Sequence, residues 1–229
     1  MHYFLFIRLS VIRFIVLLPL VTWVSAAEID LQNGEEINEL CAGCHGEYGE
    51  GDKHGEYPRL AGQPAGFTAR QLHLFRDRSR PNIAMVEYID ERQMPDQDIL
   101  DISYFLQGIK LKNRLSVVDE NAHDFNAYAR LLEAKKIVQI PRAEGDVEKG
   151  GELYRKECRS CHGSLGEGDL DEAVPMLAGQ YTNYLWRQVE KYLQGVRIHD
   201  PQQPDERLLA EFSREELQDI FAYISLLDD

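Results

Sequence analysis

Two short motifs contain every cysteine of this 229-residue chain. The first is formed by Cys41, Cys44 and His45, and the second by Cys158, Cys161 and His162. In each Cys-x-x-Cys-His motif, two thiols separated by two residues can add to the two vinyl groups of a haem, and the imidazole that follows can bind the iron. The spacing therefore predicts two covalently attached c-type haems with His45 and His162 as proximal iron ligands.

Paired cysteines at this spacing also occur in redox dithiols and in zinc sites. A zinc site would need the two pairs to converge, and it would leave the histidine after each pair without a role. A thioredoxin-like dithiol would need a βαβ context, and no run of this sequence has a convincing strand-like alternation. Haem attachment is the interpretation that uses both motifs in full.

The motifs belong to an internal repeat with a period of 117 residues. Residues 41–71 align with residues 158–188 without a gap, and 15 of the 31 positions are identical. The matches continue past the motifs into a Gly-Glu-Gly-Asp run, a Leu-Ala-Gly-Gln run and an Arg-Gln pair. The chain therefore contains a duplicated domain, and two copies do not make a solenoid.

The first copy offers Met85 and Met94 as the sixth ligand of its iron. Met94 aligns with Phe212, directly before a closing helix, where an apolar residue typically forms a hydrophobic staple. Met85 lies in the preceding loop, 40 residues after His45, and that loop has to cross the distal face of the haem. We therefore predict Met85 as the ligand and Met94 as a core residue. A thioether opposite a histidine raises the reduction potential and suits electron transfer.

The second copy has no methionine in the matching loop, because Gln202 or Gln203 stands where Met85 is expected. Met176 follows the proximal motif too closely to reach the distal side, so we expect it to pack. His199 lies in the distal loop and is the predicted ligand, which would give a bis-histidine haem of lower potential. An open or water-bound iron, and ligation by either glutamine, remain alternatives from the sequence.

Three main helices are predicted in each copy, the first of which precedes the motif. The second helices are predicted at 66–77 and 182–194, and the third at 96–107 and 214–227, from apolar residues at helical spacing. Ser213 and Glu216 have the spacing of a capping box. Residues 111–147 form a long connector, in which apolar residues predict one amphipathic helix at about 124–138 that packs across both domains.

The first 26 residues resemble a secretory signal, with Arg8, Arg13, an apolar run and small residues before the cleavage site. The run is shorter than the roughly 20 residues of a membrane span, and Pro19 interrupts it. We predict cleavage after Ala26, a periplasmic location and no transmembrane anchor in the mature chain. The net charge of −14 disfavours nucleic acid as a partner and favours redox proteins with basic docking surfaces.

Taken together, these motifs resemble the di-haem class I cytochromes of the cytochrome c4 type. The resemblance rests on both motif starts, both Pro-x-Leu-Ala-Gly-Gln segments and the Pro-Asp-Gln-Asp-Ile run at 95–99. It implies an all-α fold of two tandem cytochrome c-like domains, at 27–110 and 148–229, each with about three main helices around a covalently bound haem. It also implies that the carbonyls of Pro58 and Pro175 accept hydrogen bonds from the proximal histidines and orient them.

The expected function is the relay of single electrons between redox partners, for example towards a terminal oxidase in the membrane. The chain would then be an electron carrier rather than an enzyme. Two alternatives remain open from the sequence. The chain could be the cytochrome subunit of a dehydrogenase complex, or a haem enzyme that uses an open or unusually ligated second haem.

Overall fold

The computed structural model describes residues 28–90, 93–203 and 207–227. The predicted signal segment, 1–26, lies outside these ranges. Within them the regular structure is helical, and β-pairing is limited to two isolated bridges, at Lys112–Ile137 and Asp169–Val174. Across the same three ranges, no helix is both long and apolar enough to cross a bilayer.

The first domain is built from four helices. They are α1 (Leu31–His45), α2 (Ala65–Arg76), α3 (Ile83–Val86) and α4 (Asp96–Gly108). The carboxylate of Asp30 caps α1 by accepting from the backbone N–H groups of Gln32 and Asn33, which α1 itself leaves without partners. Helix α1 lies against α4, and its glycine at position 34 allows close approach to the α4 backbone at Asp101. An apolar core forms between α2, the α3 loop and α4.

A connector helix and the second domain follow. They comprise α5 (Ala127–Lys135), α6 (Val147–Glu157), α7 (Arg159–His162), α8 (Thr182–Leu193) and α9 (Arg214–Ile224), with a short 3₁₀ turn at Leu208–Glu211. The predicted capping box at the start of α9 is confirmed, because Ser213 and Glu216 bond to each other's backbone N–H groups. Tyr154 of α6 is fully buried in the core that α6, α8 and α9 enclose.

The second and third helices of both domains begin within one residue of their predicted starts. The connector helix is shorter than predicted, since α5 spans 127–135 rather than 124–138. Asn126 caps this helix by accepting a hydrogen bond from the Ala129 N–H, and the cap places the first helical residue at Ala127.

The connector contacts both domains. On the first domain, Lys135 of α5 forms an ion pair with Glu47 at 2.9 Å, and Lys136 lies over the ring of Tyr48. On the second domain, the Ala143 N–H donates to the hydroxyl of Ser225 at 3.0 Å. The connector therefore contacts one domain near each of its ends. Its amphipathic pattern does not become a buried apolar face, because α5 has no buried residue and Tyr128 and Leu131 are exposed.

The domain interface is reciprocal, because residues related by the repeat exchange the same contacts. The guanidinium of Arg80 donates to Gln71 of its own domain and to Gln188 of the other domain, both at 2.9 Å. Its repeat equivalent Arg197 donates to Gln188 at 2.8 Å and to Gln71 at 3.1 Å. Both arginines are buried. Two charges and two amides thus form a crossed network that satisfies each glutamine oxygen twice.

A second reciprocal pair lies at the edge of the same interface. Arg70 of α2 donates to the carbonyl of Ala173 in the second domain at 3.0 Å. Its repeat equivalent Arg187 of α8 donates to the carbonyl of Glu56, the counterpart of Ala173, at 2.9 Å. The two domains are therefore related by an approximate twofold axis that passes between α2 and α8.

The contact between α6 and α9 predicts the outcome of one glycine substitution. A Cβ added at Gly150 would lie 1.8 Å from the backbone oxygen of Asp219, so the two helices would have to separate. We expect Gly150→Ala to cost about 3 kcal/mol of unfolding free energy. The matched control is Gly108→Ala at the end of α4, where a Cβ meets nothing within 4 Å. Urea unfolding of the haem-loaded protein measures both, and equal midpoints would contradict the close packing.

Candidate haem sites

The first motif occupies the last turn of α1, so Cys41, Cys44 and His45 are placed by one continuous helix. Cys41 is partly buried and Cys44 is exposed, and neither forms a disulfide. Burial raises the pKa of Cys41 to about 11. Gly46 ends the helix with φ +84°, a left-handed conformation that a side chain would strain. The chain turns away here, which leaves the motif at the helix end.

The second motif has a different local setting. Helix α6 ends at Glu157, and the short helix α7 carries the rest of the motif to His162. The N–H of His162 still bonds to the carbonyl of Cys158 at 3.0 Å, so the motif retains its single helical turn. Burial raises the pKa of Cys158 to about 11, as at Cys41.

Each motif histidine is fixed through its Nδ1 atom. Nδ1 of His45 lies 3.0 Å from the carbonyl oxygen of Pro58, and Nδ1 of His162 lies 2.9 Å from that of Pro175. A carbonyl can only accept, so Nδ1 carries the proton and Nε2 keeps its lone pair for a metal. Burial lowers the pKa of both rings, to about 4 for His162. Both imidazoles are therefore neutral at pH 7, the form that binds iron.

The predicted distal residue of the second site, His199, lies close to the motif histidine His162. The ring centroids of His162 and His199 are 6.1 Å apart, with an angle of 44° between the ring planes. Two metal–nitrogen bonds of about 2 Å each, together with the half-widths of two imidazoles, add up to about this distance. Tyr192 of α8 lies edge-on to His199, with centroids 5.2 Å apart, and supports the ring from the side. This donor set fits an iron held between two histidines.

The two methionines of the first domain have different environments. Met94 is buried in the apolar core with Ile99, where the staple pattern places it. Met85 lies on α3 and only partly covers the rim of that core. The side chain of Asn82 caps α3 through the Met85 N–H and so fixes the backbone that carries this thioether. Met85 remains the predicted ligand.

The other candidates of the second copy lie away from the distal position. Met176 is buried at the domain interface next to Pro175, on the proximal side of the site. Gln202 and Gln203 are exposed, and the Gln202 N–H bonds to the carboxylate of Asp200. Of these candidates, His199 is the one whose ring contacts that of His162.

A further group of residues forms hydrogen bonds between the two domains, and the sequence does not indicate this role. These are the interface glutamines and arginines that the repeat duplicates: Gln63, Gln180, Gln71, Gln188, Arg80 and Arg197. Their identity in both copies was the available signal. An identical polar pair predicts a shared role, but it does not predict that this role lies at the contact between the copies.

Comparison with known proteins agrees with this geometry. The family model described as cytochrome c matches residues 31–110 and 147–228. The chain belongs to the cytochrome c family. It is 24% identical to cytochrome c4 of Pseudomonas aeruginosa over 206 residues, which cover 89% of this chain and 91% of that protein. With two matched regions, each containing one haem-attachment motif, it is a di-haem class I cytochrome that is similar to cytochrome c4.

Two further relatives extend the comparison. The cytochrome is 29% identical to a thiosulfate dehydrogenase electron acceptor of Stutzerimonas stutzeri over 185 residues, which cover 81% of this chain and 77% of that protein. The crystal structure of reduced cytochrome c4 from Pseudomonas stutzeri superimposes with a TM-score of 0.66 at 21% identity, over 87% of this chain and all of that one. The all-α fold of two cytochrome c domains is therefore confirmed. The cytochrome holds two c-type haems through Cys41, Cys44, Cys158 and Cys161.

Proposed function

We propose that this di-haem cytochrome relays single electrons between partner proteins in the periplasm. A haem iron supplies one-electron exchange, and the chain determines its potential and its access. His45 and Met85 are the proposed axial ligands of the first iron, and His162 and His199 those of the second. In this proposal the chain leaves no coordination position for a substrate, which favours a carrier over an enzyme.

The 6.1 Å separation of the His162 and His199 rings carries this proposal. It supports a closed coordination sphere at the second haem, where the sequence left an open iron as an alternative. It also makes the two sites unequal, because methionine opposite histidine raises the reduction potential relative to two histidines. In the protein that carries one electron, the first haem would therefore be reduced and the second haem would stay oxidised.

Donor and acceptor are proposed from the relatives and from the charge. The similarity to a thiosulfate dehydrogenase electron acceptor supports a thiosulfate-oxidising dehydrogenase as the donor. A membrane oxidase would then be the acceptor. The net charge of −14 supports docking on basic partner surfaces. The periplasmic location follows from the proposed signal at 1–26 and a cleaved mature chain whose domains span 27–110 and 148–229, with the connector at 111–147 between them.

The two methionines give a matched test of the first ligand. Leucine cannot bind iron, and it replaces methionine with little change of volume. We expect Met85→Leu to abolish the methionine–iron charge-transfer band in the far red and to lower the potential of one haem. Met94→Leu should keep the band and cost less than about 1.5 kcal/mol of stability. Loss of the band in Met94→Leu alone would reverse the assignment.

A ligand-binding test addresses the second iron. The reduced wild-type protein should not bind carbon monoxide at modest concentrations, because both axial positions are occupied. We expect His199→Ala to bind one carbon monoxide per chain, seen as a shift of the Soret band. His123→Ala, which removes an exposed histidine of the connector, should behave as the wild type. Carbon monoxide binding by the wild type would favour the open-site enzyme instead.

Reduction kinetics separate a relay from an enzyme. Mixed with thiosulfate and a thiosulfate dehydrogenase in a stopped-flow instrument, the oxidised cytochrome should become reduced at a rate proportional to the dehydrogenase concentration. Against a dehydrogenase with a basic docking face, this rate should fall as the ionic strength rises. Thiosulfate without the dehydrogenase should leave the haems oxidised. Equally fast reduction by thiosulfate alone would mean that the chain is itself the enzyme.

A further inference from the structure

One glutamine from each domain reaches into the other domain and binds a single backbone segment there. Gln180 accepts a hydrogen bond from the Arg59 N–H and donates one to the Arg59 carbonyl, both at 3.0 Å. Gln63, its repeat equivalent, accepts from the Met176 N–H at 3.1 Å and donates to the Met176 carbonyl at 2.9 Å. Both glutamine side chains are buried. Each amide thus forms a two-bond bridge across the domain boundary.

The backbone segment that each glutamine binds is the one that holds the proximal histidine. The N–H of Arg59 belongs to the same peptide group as the carbonyl of Pro58, which accepts from Nδ1 of His45. In the other domain, the N–H of Met176 shares its peptide group with the carbonyl of Pro175, which accepts from His162. Two unbroken chains of hydrogen bonds therefore run from a glutamine of one domain to the imidazole of the other.

Such a chain transmits polarisation. When the N–H of a peptide group is hydrogen-bonded to an acceptor, its carbonyl becomes a better acceptor, by roughly 10–30% per bond in condensed-phase estimates. A better acceptor at Nδ1–H makes the imidazole more electron-rich and a stronger ligand. A stronger histidine ligand stabilises the oxidised iron, so the reduction potential falls. Burial strengthens the effect, because no water competes for the amide.

We propose that Gln180 and Gln63 are positioning residues for electron transfer, each of which lowers the reduction potential of the haem in the opposite domain. Gln180 acts on the first haem through Arg59, Pro58 and His45. Gln63 acts on the second haem through Met176, Pro175 and His162. This inference rests on the proposed function insofar as His45 and His162 are the proximal ligands. It makes the docking of the domains part of what sets the two potentials.

The experiment is a potentiometric titration of the purified haem-loaded protein, with no partner present. The first haem is followed by its methionine–iron band and the second by the remaining absorbance. We expect Gln180→Leu, which removes the acceptor for the Arg59 N–H, to raise the potential of the first haem more than that of the second. Gln63→Leu should give the opposite pattern. Amide exchange at Arg59 should become faster in Gln180→Leu only.

Two further variants distinguish this role from a purely structural one. Gln180→Glu keeps an acceptor for the Arg59 N–H and makes it stronger, so the reduction potential of the first haem should fall. If Gln180→Leu does not fold, this variant still tests the inference. Gln188→Leu removes another buried interface amide, whose oxygen accepts from Arg80 and Arg197 rather than from the N–H of Arg59 or Met176. It should not produce the crossed pattern, in which a glutamine variant shifts mainly the potential of the haem in the other domain.

An experiment that contradicts the role of these glutamines can be distinguished from one that contradicts the proposed electron relay. If Gln180→Leu shifts the second haem as much as the first, or if Gln188→Leu gives the same crossed pattern, the inference is overturned. Both titrations use the cytochrome alone, so a missing crossed shift with native spectra leaves the relay standing. Wild-type spectra without histidine ligation would instead overturn the proposed ligands.

Discussion

Two peptide groups, Pro58–Arg59 and Pro175–Met176, are hydrogen-bonded to a motif histidine on one side and to the other domain on the other side. Their carbonyls hold the proximal histidines, and their N–H groups are bound by a glutamine from the other domain. A buried peptide group without partners would cost about 1–3 kcal/mol for each unsatisfied atom. The haem sites and the domain interface are therefore built on the same atoms, and neither can be rearranged without the other.

The sequence predicted what is local. The two motifs, the helix starts and the capping box at Ser213 all depend on residues a few positions apart, and the structure contains them. The hydrogen bonds of Pro58 and Pro175 to the motif histidines are predicted only by the family resemblance, because 13 residues separate each proline from its histidine. The crossed bonds of Arg80 and Arg197 join residues more than 100 positions apart. No rule of local residue spacing predicts a contact between residues so far apart in the chain.

The two domains differ where the repeat is least exact. From the motif to the end of the aligned segment the two copies align without a gap and are identical at 15 of 31 positions, and there they share the contacts of their motif histidines. The distal loops diverge, with a capped turn carrying Met85 in one copy and a segment carrying His199 beside Tyr192 in the other. The fold thus keeps the attachment and the interface constant while the proposed distal ligand changes, an arrangement that would adjust the potential without disturbing the docking.

The reciprocal interface has the form of an isologous dimer contact, in which each partner offers the same patch to the other. Its centre combines hydrogen-bonded amides and guanidinium groups with the buried side chains of Met176 and Tyr181. The connector holds the two domains at an effective concentration on the order of millimolar. At that concentration, even a contact too weak to join two separate domains persists within one chain. The directional hydrogen bonds then determine how the two haem domains are aligned.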